Sequence, residues 1–406
     1  MADEAKKKTI VLGVAGGIAC YKAAELVRLL VQAGFAVRVI MTKAATEFVT
    51  PLTFQTLAGF PVATDLFSLT QESEIGHINL ADQADLLVVA PATANVIGKI
   101  AGGIADDLLT TVVLATTASV LLVPAMNVHM YQNPILQENI KKLRGLGYHS
   151  MEPAEGYLAC GYEGRGRLPE PEEIVEQIHD LLEKKDLSGE KILITAGPNR
   201  EPIDPIRYLS NRSSGKMGYA LAQVGVRRGA EVTLVSGPTA LKPPARARLV
   251  SVTTAAEMRA AILEEFPRAT AVIMAAAVAD FTPEQYAQRK IKRGSKAIQI
   301  SLKPNPDILR ELGAKKNHQL LIGFAAETND LVANASRKLR EKNLDLIVAN
   351  DVTQEGSGFD VDTNAVTILD RCGGVHPLRL MSKQDLAGRI YDFFPSLKGN
   401  GPSQTT

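Results

Sequence analysis

The stretch Glu183–Tyr219, EKKDLSGEKILITAGPNREPIDPIRYLSNRSSGKMGY, decides the fold because a second strand–loop–helix unit begins inside it. A charged seam is followed by the apolar run KILIT, by a long loop rich in Gly, Pro, Ser and Asn, and by an amphipathic helix pattern. The N-terminus follows a shorter version of this plan, with KKTIVLGV, then AGGIA, then a helix pattern from about Tyr21. The restart halfway along the chain predicts two nucleotide-sized folds on one polypeptide.

Length and composition agree with two soluble domains. The 406 residues are too many for one compact core and suit two domains of about 200 residues each. We expect these domains at residues 1–187 and 188–398, followed by a disordered tail at 399–406. The net charge of +1 gives no global field that would favour nucleic acid or an anionic membrane surface.

Targeting signals and cysteine pairs are not evident in the sequence. No apolar run approaches the ~20 residues that span a bilayer, and MADEAKKK lacks the apolar core of a signal peptide, so we expect a cytoplasmic protein. The cysteines Cys20, Cys160 and Cys372 lie far apart, which argues against a disulfide framework and against a zinc site.

Apolar runs alternate with helix patterns in both halves. The strand candidates are TIVLGV, AVRVIM, DLLVVAP and SVLLVPAM, then KILIT, EVTLVS, AVIMAA, LLIGFA, LDLIVAN and AVTIL. Helices of the second half are expected near Met217–Arg227, Ala255–Glu265, Leu331–Glu341 and Ser382–Phe393. This order predicts an α/β protein with two doubly wound, mostly parallel, Rossmann-like domains. The passage MEPAEGYLACGYEGRGRLPEP has no clear periodicity and is predicted to be a long functional loop.

The turn after the first strand, Gly13–Gly17, is typical of a phosphate cradle at a helix N-terminus. It does not match GxGxxG, and the second strand ends in Met41-Thr42-Lys43 without an acidic residue for a ribose, which argues against NAD. A phosphate monoester, as in FMN, suits Thr and Lys at that position. On the turn alone, glycines that merely allow tight strand–helix packing are an equally good interpretation.

Polar residues follow the third and fourth strands of the first half. Thr93 and Asn95 come after one strand and Asn127 after the next, and strand ends are where doubly wound folds bind ligands. His77 lies between an acidic loop and a helix pattern. On its pattern alone, a surface or structural role for this histidine is the better interpretation.

The long loop of the second half favours an anionic ligand. It is not a Walker A loop, because Met217 stands where Ser or Thr is required. A purely structural loop is the alternative, but its polar residues are dense: Arg207, Asn211, Arg212, Ser213, Ser214 and Lys216. Further along, Lys290, Lys292 and Arg293 alternate with apolar residues, a pattern that usually marks only a solvated face.

Five motifs of the first half, GVAGGIACYK, GHINLADQADLLVVAPATAN, GIADDLLTT, PAMNVHMY and ACGYEGRGRL, resemble those of the flavin-dependent cysteine decarboxylases. Over nearly its whole length the chain resembles the bacterial bifunctional phosphopantothenoylcysteine decarboxylases/phosphopantothenate–cysteine ligases of coenzyme A synthesis. The resemblance implies that FMN serves as the cofactor of the first half. The implied FMN contacts are Gly16, Gly17, Thr42, Thr93 and Asn95.

The resemblance also implies roles in the decarboxylation of 4'-phosphopantothenoylcysteine. In this family FMN oxidises the thiol to a thioaldehyde, CO₂ is lost, and the reduced flavin returns the electrons to the resulting enethiolate. His77 matches the base for the oxidation, Asn127 the residue that holds the carboxylate, and Cys160 the acid that protonates the enethiolate. The passage around Cys160 would then be a substrate clamp that carries Cys160 over the flavin and excludes water.

For the second half the resemblance implies a ligase with CTP as co-substrate. The carboxylate of 4'-phosphopantothenate attacks the α-phosphate of CTP, pyrophosphate leaves, and the amine of cysteine attacks the acyl-cytidylate. Lys290 would stabilise charge on the phosphates, Asn211 would act on the acyl-cytidylate, and Arg207 belongs to the same site. Asp280 would meet the nucleotide or its Mg²⁺. The other implied CTP contacts are Ala275, Ala276, Pro306, Asp307, Ile308, Leu309, Phe324, Lys338 and Lys342.

Three further expectations concern a departure from the family pattern, the remaining cysteines and the oligomeric state. Arg293 stands where the common KIKK form has Lys, which keeps the charge but changes its geometry. Cys20 and Cys372 match no catalytic position and are predicted to pack in the interior. By analogy, trimeric decarboxylase and dimeric ligase contacts would combine into a homododecamer.

Two other functions remain open at this stage. One is a flavin- and nucleotide-binding regulatory protein without catalysis, which would have no need of an acid, a base and an activating lysine together. The other is a different flavin chemistry in the first half, which the attached ligase half disfavours.

Overall fold

The protein consists of two compact units, Met1–Glu183 and Lys184–Thr406. The computed structural model describes residues 7–66, 76–157, 161–292, 298–327, 330–351, 358 and 361–399. Each unit has its own, mostly parallel sheet with helices between the strands, so the predicted fold class is confirmed. In the described part of the chain, no helix combines the length and the apolar character needed to cross a bilayer.

The first unit is built on a sheet with strand order β2-β1-β3-β4-β5, in which neighbouring strands run parallel. Its described strands are β1 (Thr9–Val14), β2 (Ala36–Met41), β3 (Leu86–Ala92), β4 (Ser119–Pro124), β5 (His149–Ser150), β6 (Ala154–Tyr157) and β7 (Glu163–Arg167). Its described helices are α1 (Cys20–Gln32), α2 (Lys43–Thr46), α3 (Pro51–Ala58), α4 (Gly76–Gln83), α5 (Ala94–Gly102), α6 (Leu108–Ala115), α7 (Val128–Gln132), α8 (Pro134–Gly145) and α9 (Pro171–Leu182).

The apolar strands of this sheet are covered on both faces. Every residue of β3 is buried, and the two faces contribute to two separate hydrophobic clusters. One cluster includes Leu12 and Leu26, and the other includes Val11 and Ile97. The chain continues from β1 to β2 on one side of β1 and later returns to β3 on the other side. A crevice therefore opens between the carboxyl ends of β1 and β3.

The passage 151–171, predicted to be a loop, instead contains an antiparallel β-hairpin of β6 and β7. The burial of its residues alternates as a strand requires, but its sequences AEGY and EGRGR have no alternating apolar side chains. The prediction was therefore wrong about regular structure here, because apolar periodicity cannot reveal a hairpin without an apolar face. Cys160 lies outside the described residues.

The second unit has a sheet of order β12-β11-β8-β13-β16-β17-β18-β19. Its described strands are β8 (Lys191–Ala196), β9 (Glu201–Pro202), β10 (Tyr208–Leu209), β11 (Glu231–Ser236), β12 (Arg248–Ser251), β13 (Ala271–Met274), β14 (Phe281–Pro283), β15 (Leu302–Pro304), β16 (Leu320–Glu327), β17 (Leu346–Asp351), β18 (Thr363–Asp370) and β19 (Val375–Ser382). Its described helices are α10 (Lys216–Arg227), α11 (Ala255–Glu265), α12 (Ile308–Lys315), α13 (Leu331–Glu341), α14 (Lys383–Asp392) and α15 (Phe394–Gly399).

In this sheet the neighbouring strands β12, β11, β8, β13, β16 and β17 run parallel, and β18 and β19 close one edge as an antiparallel hairpin. Counted along the chain, the parallel part has the order 3-2-1-4-5-6 of a dinucleotide-binding fold. The switch in direction falls between β8 and β13. The second crevice therefore opens at the carboxyl ends of these two strands.

The cysteine predictions have different outcomes. Cys20 is buried, and its Sγ donates a hydrogen bond to the Ala15 carbonyl at 3.1 Å, so its packing role is confirmed. Cys372 is exposed on the turn between β18 and β19, where its backbone N–H donates to Asp370 Oδ1 at 2.8 Å. A tight turn keeps its side chain at the surface, so the packing prediction was wrong. Of the predicted tail 399–406, Gly399 is the last residue of α15, and residues 400–406 lie outside the described residues.

A buried carboxylate anchors the start of β17. The Asp345 side chain is fully buried, and it pairs with Lys316 Nζ at 2.6 Å and with Arg371 Nη1 at 2.7 Å. It also accepts the Leu321 backbone N–H at 2.7 Å. This carboxylate therefore ties the amino ends of β16 and β17 to the turn after β18, at the edge of the sheet opposite the second crevice.

We expect Asp345→Ala to lower the free energy of unfolding of the second unit by about 3 kcal/mol, because two partly buried cations and a backbone N–H group lose their acceptor. Denaturant titration followed by a probe in the second unit measures this. Glu231→Ala is the control: its pair with Lys191 spans 3.9 Å between exposed side chains, and we expect a change within about 0.5 kcal/mol. Equal losses in the two variants would contradict the assignment of Asp345 as an anchor.

Candidate functional sites

The first unit contains a cavity of about 890 Å³ at the carboxyl ends of β1, β2, β3 and β4. The residues that the sequence predicted for FMN and for the substrate carboxylate all line it. They are Gly16, Gly17, Thr42, Thr93, Asn95 and Asn127. The parallel register brings these side chains to one edge of the sheet although they come from distant parts of the chain.

The two glycines at the end of β1 are needed for different reasons. A Cβ on Gly16 would lie 2.6 Å from the backbone carbon of Ala44, so this glycine permits tight packing. A Cβ on Gly17 would meet nothing closer than Thr93 Cγ2 at 3.8 Å, so it would project into the cavity. Each interpretation of the turn, as tight packing or as a ligand cradle, thus fits one of the glycines.

The cavity lining has the donors that a phosphate and a polar ring require. The cap residue of α1, Ala19, makes no side-chain hydrogen bond to the first turn, and this helix end borders the cavity, so the helix dipole favours an anion there. Thr42 Oγ1 accepts the Ala45 N–H at 3.3 Å, and Thr93 Oγ1 accepts the Val96 N–H at 3.4 Å. Because both hydroxyls act as acceptors toward the backbone, their protons remain to be donated to a ligand.

Two lysines of the lining are already paired with carboxylates. Lys22 Nζ lies 2.9 Å from Glu170, and Lys99 Nζ lies 2.7 Å from Asp106 and 3.3 Å from Asp107. The hydrogen bond to Asp106 raises the pKa of Lys99, and burial opposes it only in part. Neither lysine was predicted as a site residue, because a lysine within a helical pattern gives no sign of facing a cavity.

The β6–β7 hairpin forms one wall of the cavity. The Met126 N–H donates to the Gly166 carbonyl at 2.9 Å, which joins β7 to the turn that carries Asn127. Tyr157 and Arg167 belong to the lining. The described strands β6 and β7 therefore lie against the predicted flavin site, as the substrate-clamp interpretation requires.

The other two residues predicted for decarboxylation are His77 and Cys160. His77 is half-buried in the first turn of α4 and is outside the lining. Cys160 lies beyond the described residues. Their catalytic roles stay predictions.

In the second unit, Asn211 lies against the chain segment that leaves β13. Its Nδ2 donates to the Val278 carbonyl at 2.9 Å and lies 3.5 Å from the Ala277 carbonyl. Ala275 and Ala276 begin the same segment, directly after β13. The structure thus brings Asn211 to the crevice at the carboxyl end of β13.

A second loop joins this crevice through Asn305. Its Nδ2 donates to the Ala279 carbonyl, and its backbone N–H donates to the Asp280 carbonyl, both at 2.8 Å. These bonds hold Pro306 and Asp307, the next residues in the chain, beside Asp280.

Asp307 links this loop to α13. It caps α12 by accepting the Arg310 N–H at 3.0 Å, and it pairs with Lys342 Nζ at 2.9 Å. Lys338 lies one helical turn before Lys342. Burial opposes ionisation of Asp307, but the hydrogen bond from Lys342 prevails and lowers the pKa of its carboxyl.

The side chains of Ile308 and Leu309 pack in the interior and leave little surface for contact with a nucleotide. Ile308 is 3% exposed and packs in the core, and Leu309 packs beside it, against Gly323. Phe324, the next residue of β16, is partly buried against the opposite cluster. Any contact that Ile308 makes with CTP would therefore come from its backbone N–H at the start of α12.

Arg207 binds the backbone of Ile291, the residue that follows Lys290. The Arg207 guanidinium binds the Asp204 carboxylate, with Nη2 2.5 Å from Oδ2, and the Ile291 carbonyl at 2.9 Å. Lys290, directly before Ile291, is exposed. Arg293 lies outside the described residues. The structure thus shows Arg207 bound to protein groups, and its assignment to the ligase site stays a prediction.

Asp280, the residue predicted for Mg²⁺, is exposed. No group of three or more His, Cys, Asp or Glu that could hold a metal occurs within the described residues. A magnesium ion here would have to take most of its ligands from the triphosphate and from water. The Mg²⁺ assignment stays a prediction.

Comparison with known proteins gives one family for each unit. Residues 1–183 match the Flavoprotein family, and residues 187–396 match the DNA/pantothenate metabolism flavoprotein C-terminal domain. The chain is 52% identical over 387 residues to the coenzyme A biosynthesis bifunctional protein CoaBC of Bacillus subtilis, covering 94% of this chain and 95% of the relative. It is 47% identical to the Vibrio cholerae protein of the same name, covering 94% of this chain and 96% of that relative.

A solved structure also resembles the second unit. The C-terminal domain of a coenzyme A biosynthesis bifunctional protein CoaBC aligns at 43% identity with a TM-score of 0.47, covering 54% of this chain and 100% of that domain. Both curated relatives match this chain over nearly their full lengths, across both units and in the same order. The chain therefore belongs to the family of coenzyme A biosynthesis bifunctional proteins.

Proposed function

We propose that the protein performs two consecutive steps of coenzyme A biosynthesis. CTP-dependent ligation joins cysteine to 4'-phosphopantothenate through an acyl-cytidylate, and FMN-dependent decarboxylation converts the product to 4'-phosphopantetheine. One observation carries the proposal: the residues predicted for FMN and for the substrate carboxylate surround a single cavity, in a chain of this family. A regulator without catalysis is disfavoured, because the relatives are biosynthetic enzymes.

The first unit fits a flavin mononucleotide. Bound FMN would supply the electron sink that loss of a carboxylate from cysteine requires. The open face of Gly17, the uncapped start of α1 and the Thr42 hydroxyl suit its phosphate. Thr93 and Asn95 would hold the ring, and Asn127 would orient the substrate carboxylate. The hairpin wall would limit the access of water.

The second unit fits the activation of a carboxylate by a nucleotide. Lys290 would stabilise charge on the phosphates while pyrophosphate leaves, and Asn211 would act on the acyl-cytidylate. Asp280 would meet the nucleotide or its Mg²⁺. Asp307, Lys338 and Lys342 would lie around the same nucleotide.

We also propose a dodecamer that combines trimeric contacts of the first unit with dimeric contacts of the second. His77 lies outside the cavity of its own chain. In a trimer with the flavin at a subunit boundary, a neighbouring copy would supply this base.

The FMN assignment is tested at Gly17. Gly17→Ala adds a methyl group toward the cavity without an internal clash, so we expect unchanged stability and FMN affinity lowered by about tenfold or more. Titration of flavin-free protein with FMN, followed by flavin fluorescence, measures the affinity.

The matched variant is Gly16→Ala. Its methyl group meets the Ala44 backbone, so we expect a loss of stability of about 1–3 kcal/mol. If Gly17→Ala bound FMN as tightly as the wild type, the phosphate would not lie against this turn.

The ligase assignment is tested at Lys290. We expect Lys290→Gln to slow pyrophosphate release from CTP by about 10²- to 10³-fold, because a cation aimed at the phosphates is removed. Pyrophosphate is measured with 4'-phosphopantothenate present, and decarboxylation of 4'-phosphopantothenoylcysteine should be unchanged in the same preparation.

The control for this test is Lys191→Gln, an exposed lysine at the amino end of β8, which should leave both activities intact. Equal or faster turnover with ATP would overturn the CTP assignment. A similar loss in both variants would overturn the role of Lys290.

A further inference from the structure

Asp204 is a buried carboxylate in the loop between β8 and α10. Its side chain is fully buried. Oδ1 accepts the backbone N–H groups of Ile206 at 2.9 Å and Arg207 at 2.8 Å. Oδ2 accepts Arg207 Nε at 3.0 Å and the Ile291 N–H at 3.1 Å. The carboxylate therefore closes its own turn and also binds a segment far along the chain.

Arg207 completes this contact from the other side. While Nη2 binds Asp204 Oδ2, it also donates to the Ile291 carbonyl at 2.9 Å. Both the N–H and the carbonyl of Ile291 are thus held by side chains from one loop. We refer to Asp204, Arg207 and the Ile291 backbone as the clamp.

A further hydrogen bond fixes the same segment four residues earlier. The Ala287 N–H donates to the Ile203 carbonyl at 3.0 Å. The backbone is therefore held on both sides of Lys290, whose side chain is exposed. A flexible lysine on an anchored backbone can reach a ligand while losing less conformational freedom than one on a mobile loop.

We propose that Asp204, acting through Arg207, is a positioning residue of the ligase that holds the Ile291 backbone so that Lys290 faces the nucleotide phosphates. The proposal rests on the function proposed for the second unit. It assigns Arg207 to the support of Lys290 rather than to direct contact with substrate.

The clamp requires a carboxylate rather than an amide. Its two oxygens accept hydrogen bonds from backbone and guanidinium donors on both sides, whereas the NH₂ group of an asparagine would point a donor at other donors. The hydrogen bond from Arg207 holds the pKa of Asp204 well below its usual range, so the carboxylate stays charged near neutral pH. Asp204→Asn therefore changes the shape little and breaks the clamp.

The same loop offers a matched control. Glu201 is 3% exposed, and its Oε1 accepts the Ala255 N–H at 2.7 Å, at the start of α11. Glu201→Gln also removes a buried negative charge from this loop, but at a contact with α11 rather than with the 287–291 segment. It therefore reports on general loosening of the loop.

The first experiment needs no substrate. Limited trypsin digestion of the full-length protein is followed by mass spectrometry at Arg289, Lys290 and Lys292, which are all exposed. We expect Asp204→Asn to speed cleavage at these sites about tenfold, because the segment opens more often once Ile291 is released. Glu201→Gln should cleave there at the wild-type rate. Equal rates in Asp204→Asn and the wild type would overturn the clamp.

The second experiment tests positioning with a double-mutant cycle on CTP affinity, measured by calorimetry. We expect Asp204→Asn to weaken CTP binding about tenfold when Lys290 is present, and less than about twofold in the Lys290→Gln background. A merely structural role would give the same factor in both backgrounds, and that result would overturn the proposal.

The two experiments separate the possible failures. If the wild type binds no CTP and releases no pyrophosphate from it, the proposed function of the second unit fails while the digestion still tests the clamp. If CTP binds and the cycle is additive, the clamp holds the segment without positioning Lys290, and the inference fails by itself.

Discussion

Burial of parallel strands on both faces is the constraint on which the rest of this structure depends. Strands such as β3 and β13 are buried along their whole length, so the sheets have no interior space for polar chemistry. Charged and hydrogen-bonding side chains are therefore confined to the ends of the strands. Parallel pairing brings the carboxyl ends of these strands to one edge of the sheet. Both candidate sites lie at such an edge for this reason.

The sequence predicted best the elements that this constraint controls. The helices Ala255–Glu265 and Leu331–Glu341 have the predicted bounds. In the first of these, Thr254 and Glu257 form a capping box that marks its start. The residues after the strands were also predictable as a group, because polar residues directly after apolar runs must lie at the sheet edge. This is how Thr93 and Asn127 came to be placed in one cavity.

Contacts that local patterns do not encode could not be predicted. The β6–β7 hairpin has no apolar face that a periodic pattern could reveal. Cys372 is a different case, because Gly373 and Gly374 directly after it are a turn signal that its packing prediction did not take into account. Asp204 and Ile291 are 87 residues apart, and nothing in either segment indicates that a backbone N–H of one meets a carboxylate of the other. Arg207 could be recognised as belonging to a site, but its partners depend on the tertiary fold.

The two units place different chemistry at the same topological position. In the first unit the switch in strand order lies between β1 and β3, and Gly17 and Thr93 border it. In the second it lies between β8 and β13, where the Ala277 N–H donates to the Gly197 carbonyl at 3.0 Å. Since both crevices follow from parallel pairing alone, the fold supplies the place for a ligand but not its identity. That identity comes from the loops: a cavity closed by a hairpin in one unit, and exposed cations on a clamped backbone in the other.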